Sequence, residues 1–434
     1  MPTDRNGYEI SAASSALVED LDRFADDFLA ARDGAGRVFA LAEQNPDCAL
    51  AQAYAAALHF YAQSSAAIER DALPLLARAD ALRDHLTPRE TLLLDALSAW
   101  ARNDLQTAIA LHERIALDWP RDLVAAKLAE FLFIQAPDYR RHLRFMERLA
   151  SVNDGSPHFL AMHAFALEMC REFERAERAA RRAIELEPST AWAHHALAHQ
   201  MLNERRIDEG LALLTELSPT WVEHSGATRC HNWWHVALLH LALGDAQRAL
   251  ELLHERVVGA DGASAVELTD AISLLWRIEL TGERLDDEWS ALAPHVVERA
   301  YEQCFPFLNA HWAYALTRAG MDDVVDDALD ALRAYALRQT GAAARVFRDV
   351  GVPLVTACAA FAAGEAARCV ALLEPVLPEV ACVGGSDAQN DLFRQTYLVA
   401  LLECGRHGEA RRWLDARIGQ ARPTAIEQGW LARA

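Results

Sequence analysis

The sequence lacks most of the features that announce a known chemistry. Its cysteines are Cys48, Cys170, Cys230, Cys304, Cys358, Cys369, Cys382 and Cys404, and none forms a Cys-x-x-Cys pair. They are expected to be small buried apolar residues in a reducing compartment. There is no Gly-rich phosphate loop, no dinucleotide-binding fingerprint and no Gly-x-Ser-x-Gly elbow. The His-Glu-Arg triplets at 112–114 and 254–256 lack the second histidine of a zinc-protease helix. Basic residues are short: 42 Lys and Arg stand against 63 Asp and Glu, a formal net charge of -21. A surface this acidic repels phosphate backbones and anionic headgroups, so neither nucleic acid nor a membrane is expected as a partner. The longest apolar stretch, Val352 to Gly364, is too short to span a bilayer. The opening MPTDRNGYEI has neither a basic n-region nor an apolar h-region, and a cytoplasmic protein is expected.

What is present is alanine, leucine and a period. Hydrophobic residues make up 52% and charged residues 24% of 434 positions. That is a globular balance with helix-forming bias, but it is too long for one ordinary core. A stack of repeats avoids that limit, because each unit packs on its neighbours. Residues 158–188 show the unit, with small residues at Ala164, Ala176 and Ala183, a polar turn at Arg171–Glu172, and Pro188 as the stop. The pair Ala164/Ala176 recurs as Ala96/Ala108, Ala198/Gly210, Ala237/Ala249, Ala313/Val325, Ala357/Cys369 and, more weakly, Leu398/Ala410. Ala164 and Ala198 are 34 residues apart, which is the period of tetratricopeptide helix pairs. The fold expected is all-α, a right-handed tetratricopeptide-like α-solenoid over 1–434. N-terminal helices occupy 1–84, clear repeats 85–260, and diverged repeats with a C-terminal closure 261–434. Longer steps imply loops near Ser218–Thr228 that could border a groove.

Several of the 17 histidines cluster in the first helix of these pairs. A helix turns about 100° per residue, so offsets from the anchor alanines assign faces. His195, His199, His231, His235 and His311 fall on one arc of about 120° away from the packed side. Glu168 lies at its edge, and Trp192 shares the offset of His231. His163, His194 and His240 point to the packed side and are expected to be core or inter-repeat residues. For the five arc histidines three readings stand open: polar packing, contact with a small ligand or peptide carboxylate, and metal ligation or proton transfer. His195/His199 and His231/His235 are each spaced i, i+4, a chelating spacing for zinc or another late first-row divalent metal. The shortage of carboxylates on the groove arc and of Cys pairs argues against a metal. Histidine at its ordinary pKa suits acid–base chemistry near neutral pH.

The segments MHAFALE (162–168), WAHHALAH (192–199), CHNWWHVALLHLALGD (230–245), LTDAISLLWRIELTG (268–282), FLNAHWA (307–313) and GGSDAQNDLF (384–393) resemble the family of tetratricopeptide repeat protein 38 and its bacterial relatives. The resemblance covers nearly the whole chain. It implies a groove lined by this arc of the first helices and a polar set. That set comprises His195, His199, His231, Asn232, Trp234, His235, Asp270, Ser273, Trp276, Arg277, His311, Ser386, Gln389 and Asp391. Leu202, Asn309 and Asp387 depart from the family pattern, which tends to carry glutamate, aspartate and histidine there. The resemblance implies no particular activity.

Asp270 and Arg277 are seven residues apart near one helix face. They could pair with each other or with another charge, or Arg277 could serve an anionic substrate. The leading expectation is a binding protein for a small polar or anionic ligand. Its contacts would be Glu168, Trp192, Asn232, Trp234, Asp270, Arg277, Ser386 and Gln389. The alternative is an enzyme using His195, His199, His231, His235 and His311 for acid–base or metal-assisted chemistry, with the first four as metal ligands. A structural adaptor, working through its acidic outer surface, is the third. The chain could also associate with copies of itself.

Overall fold

The structure, a computed structural model, describes residues 1–258 and 264–434. The repeat boundary expected at 260/261 lies outside the described residues. Among the described residues the architecture is all helical, with one isolated bridge between Thr3 and Glu9. No described helix is long and apolar enough to cross a membrane. The chain divides into two compact units. The first comprises Met1–Gln200 with Glu216–Arg229, and the second Met201–Thr215 with Cys230–Ala434.

In the first unit the helix pair Pro157–Met169 and Phe173–Leu186 shows how the repeat is built. Ser156 caps the first helix by accepting from Phe159 N, and Pro157 occupies the position where its missing N–H costs nothing. The first helix ends through Arg171 at φ 61°, whose N–H reaches Glu168 O, while Glu172 N reaches Leu167 O. This left-handed closure satisfies the last carbonyls and reverses the chain. Asn103 does the same at φ 58°. Ala164, Ala176 and Ala183 are buried, so the backbones approach closely at the crossing. The insert near Ser218–Thr228 forms the 3-10 turn Ser218–Glu223. It is pinned to its own unit: Trp221 Nε1 donates to His194 Nδ1, and His224 sits between Ala30 O and Ser189 O.

In the second unit the turns use glycine instead. Gly244, Gly320, Gly364 and Gly405 all have positive φ between paired helices. The anchors Ala237, Ala249, Ala313, Val325, Ala357, Cys369, Leu398 and Ala410 are all buried. Gly210 shows why one anchor is glycine. A Cβ there would meet Leu239 Cδ1 at 3.1 Å and Met201 Cβ at 3.3 Å. Leucine at Ala164 or Ala237 should overpack its crossing and cost about 1–3 kcal/mol. Urea denaturation of either variant checks this, and an unchanged midpoint would refute the register.

The C-terminal helix Ala425–Arg433 is fastened to the second unit through Glu427, which is 2% exposed. Its carboxylate accepts from both terminal nitrogens of Arg205, from Arg417 Nε and from Thr424 N. Arg417 in turn forks onto Asp391, and Trp430 Nε1 donates to Leu280 O. Leu280 caps the helix Ala265–Glu279, so the clip bears directly on the helix that carries Asp270, Ser273 and Arg277.

Of the cysteines, only Cys48, Cys230, Cys358 and Cys369 are fully buried. Cys170, Cys304, Cys382 and Cys404 are half-buried, because they fall near helix ends and turns rather than at crossings.

Candidate functional site

The wheel sorts the histidines correctly at His194, which is fully buried with both ring nitrogens bonded, to Pro188 O and Trp221 Nε1. His163 and His240, expected as core or inter-repeat residues, are half-buried. His163 packs against Phe159, and His240 lies 3.6 Å from Asp245 beyond its helix end. Of the five arc histidines, His195 and His199 belong to the first unit, and His231, His235 and His311 to the second.

In the first unit, helices Leu123–Gln135, Pro157–Met169 and Ala191–Asn203 bring together one linear array. Lys127 Nζ lies 3.8 Å from the centroid of the Trp192 ring. His195 stacks on Trp192 at 4.3 Å and 16°. His199 meets His195 edge-on at 4.5 Å, and its Nδ1 lies 3.5 Å from Glu168 Oε2. Glu130 binds Lys127 and accepts from Trp192 Nε1 at 3.1 Å. Trp192 is therefore lined by protein on both sides. Lys127 and Glu130 were not among the residues the sequence pattern selected. A signal was available, since Lys127 is the only lysine in the chain.

In the second unit the helices Gly226–Ala242, Ala265–Glu279, Pro306–Arg318 and Asp387–Glu403 carry the polar set. Asp270 does not pair with Arg277. Its Oδ2 lies 2.8 Å from His231 Nδ1, because the two helices face each other at that level. A carboxylate on Nδ1 fixes the tautomer, the arrangement used to orient a base or a metal-ligating histidine. Burial pushes the Asp270 carboxyl above its usual range, and His231 opposes that shift. His231 stacks on Trp234 at 5.2 Å and meets His235 at 5.0 Å. The carboxylate shortage inferred from sequence is thus relieved across helices, by Asp270 in this unit and Glu168 in the other.

Arg277 is 4% exposed, and among the described residues no carboxylate lies within ion-pair distance of it. Its terminal nitrogens donate to Ser273 Oγ, to Ala388 O at 2.7 Å and to Gln389 O at 3.4 Å. Its guanidinium lies 5.4 Å from the Trp234 ring centroid. Burial pulls its pKa down to about 10, against the more distant charge of Asp391. Asp391 itself is committed to Arg417.

His311 lies in a box of Phe307, Trp276 and Phe393. A carbonyl can only accept, so the 2.8 Å contact with Phe307 O makes Nδ1 the donor. Nε2 is then a lone-pair acceptor, and among the described residues it has no partner; neither do the indole N–H groups of Trp234 and Trp276. Burial pulls the His311 pKa down to about 3, so the ring is neutral. Ser386 and Gln389 are bonded to each other in a capping box at the start of Asp387–Glu403. Asn232 is buried on the His231 helix, and Asn309 donates to Glu302 O.

No protein-family model matches the chain. Among solved structures it is similar to a human IFIT1 dimer with m7Gppp-AAAA, at 14% identity over 96% of this chain and 98% of that one, TM-score 0.43. It is also similar to the APC/C hetero-tetramer Cut9–Hcn1, at 12% identity over 91% and 78%, TM-score 0.38. The P58(IPK) TPR domain aligns at 11% identity over 80% and 97%, TM-score 0.21. The helix-pair architecture described above rests on this chain's own elements and not on these likenesses.

Proposed function

We propose that the second unit binds a small anionic molecule at Arg277, with Trp234, His231, Asp270, Ser273 and His311 around it. The observation that carries this reading is a buried guanidinium whose hydrogen-bond partners are all neutral. Such a cation is costly to keep unless a negative charge joins it. Arginine also presents paired N–H groups suited to a planar oxyanion. The lone pair of His311 Nε2 and the indole N–H groups give further polar contacts to a ligand with both donors and acceptors. The net charge of -21 supports one small anion held by a buried cation over a polyanion. This reading accords with the resemblance to the tetratricopeptide repeat protein 38 family, in which Arg277 and its neighbours form part of the shared polar set.

The 2.8 Å His231–Asp270 pair favours a second reading, in which the same site performs acid–base chemistry on the bound anion. Zinc or another late first-row metal ligated by His231 belongs to that second reading. The test is a thermal-shift series of small carboxylates, sulfonates and phosphate esters, each beside a neutral isostere, on wild type and Arg277→Met. Stabilisation by at least one anion that the isostere lacks, and that is absent in the variant, is the expected result. Equal responses of the two proteins would overturn the site.

A further inference from the structure

Lys127 is the only lysine in a chain whose other basic positions are all arginine. It is placed where a surface cation is least useful. Its side chain is 12% exposed, its ammonium nitrogen lies over the Trp192 indole at 3.8 Å, and it touches the carboxylate of Glu130, which is itself 1% exposed. Arginine stacks on indole and forks onto carboxylates better than lysine does. A purely structural cation in this position would be filled as well by the residue used everywhere else. What arginine cannot do is lose its proton near neutral pH, whereas a buried lysine can. Burial pulls the Lys127 pKa below its ordinary value, with Glu130 acting in the opposite direction.

We propose that Lys127 is a nucleophilic amine that forms an imine with a small aldehyde or ketone in the first unit. Glu130 is in place to accept the ammonium proton. The nitrogen lone pair attacks the carbonyl carbon, and the π pair moves to oxygen. The resulting carbinolamine takes a proton at that oxygen and loses water, leaving a carbon–nitrogen double bond to Nζ. The amine proton passes through Glu130 to the departing hydroxyl, so the step consumes one carbonyl compound and releases one water. The Trp192 face that carries the ammonium also stabilises the protonated imine as a cation. The remainder of the array runs from Trp192 through His195 and His199 to Glu168.

This site is separate from the Arg277 reading and can stand or fall without it. The full-length folded protein is treated at pH 7 with propionaldehyde and cyanoborohydride, and adducts are located by peptide mass spectrometry. The α-amino group of Met1 is the internal reference, and N-acetyl-lysine methylamide the reference for an ordinary ε-amine. A single lysine makes the assignment unambiguous. The expected result is a propyl adduct on Lys127 formed at least tenfold faster than on the reference lysine. Lys127→Arg should keep its circular dichroism spectrum and melting temperature while retaining only the Met1 adduct. Labelling of Lys127 at or below the reference rate, or only after unfolding in urea, would overturn the proposal. So would a Lys127→Arg variant that cannot fold combined with an unlabelled wild-type Lys127, since the residue would then be a structural cation.

Discussion

Taking the protein from pH 8 to pH 5 is expected to remove about 4 kcal/mol of stability from the first unit through two histidines alone. His112 and His142 are fully buried, and burial pulls each pKa down to about 3. In the unfolded chain each titrates near its ordinary value of about 6.5. Below that value the unfolded state binds protons that the folded state refuses, so stability is complete above pH 6.5 and falls as the pH drops. At pH 5 each such group contributes a loss of about 2 kcal/mol. His311 adds a loss of the same size to the second unit. Neither ring nitrogen of His112 has a partner among the described residues. His112→Leu should therefore keep its stability at pH 8 and recover about 2 kcal/mol of the acid loss. Urea titrations at the two pH values check this; identical acid losses in wild type and His112→Leu would refute it.

The second large effect belongs to the C-terminal clip. Glu427→Ala removes the partner of two arginines and one half of a capping box. Arg205 and Arg417 keep about a fifth to a quarter of their side-chain exposure, which places the cost near the lower end of the range for breaking a buried ion pair, about 3 kcal/mol. Glu427→Gln retains the cap and should cost less. The loss should be read in the second unit, where Trp430 fluorescence reports release of the helix from Leu280 O. Full retention of the midpoint in Glu427→Ala would show that the clip carries no load.

These effects differ in how legible they were. The helix pairs could be read from small residues and turns, because a crossing tolerates only a small side chain and a left-handed closure favours Gly or Asn. Ala164, Ala198 and Ala237 are buried as their spacing requires. The azimuth of a side chain could also be read, which is why His194 fell on the packed side. Its partner across the groove between helices could not. Nothing in the spacing of Asp270 and Arg277 shows that Asp270 turns to His231 while Arg277 turns to the first turn of Asp387–Glu403. The half-burial of His163 and His240 could not be read, because offset gives direction and not depth, and His240 lies at a helix end. Ser386 and Gln389, selected as ligand contacts, are bonded to each other, a pattern that the Ser-x-x-Gln spacing already contains. Lys127 and Glu130 went unselected because they lie on a helix with no histidine.

The central claim is that Arg277 is kept for a ligand and not for the fold. The most direct measurement is the unfolding free energy of wild type and Arg277→Met in buffer free of organic anions and phosphate. A guanidinium held at 4% exposure without a counter-ion weighs on the empty protein. The account predicts that Arg277→Met is at least as stable as wild type under these conditions and loses only the added stability that an anion confers. A variant that is several kcal/mol less stable in the same buffer would make Arg277 a structural residue and contradict the account.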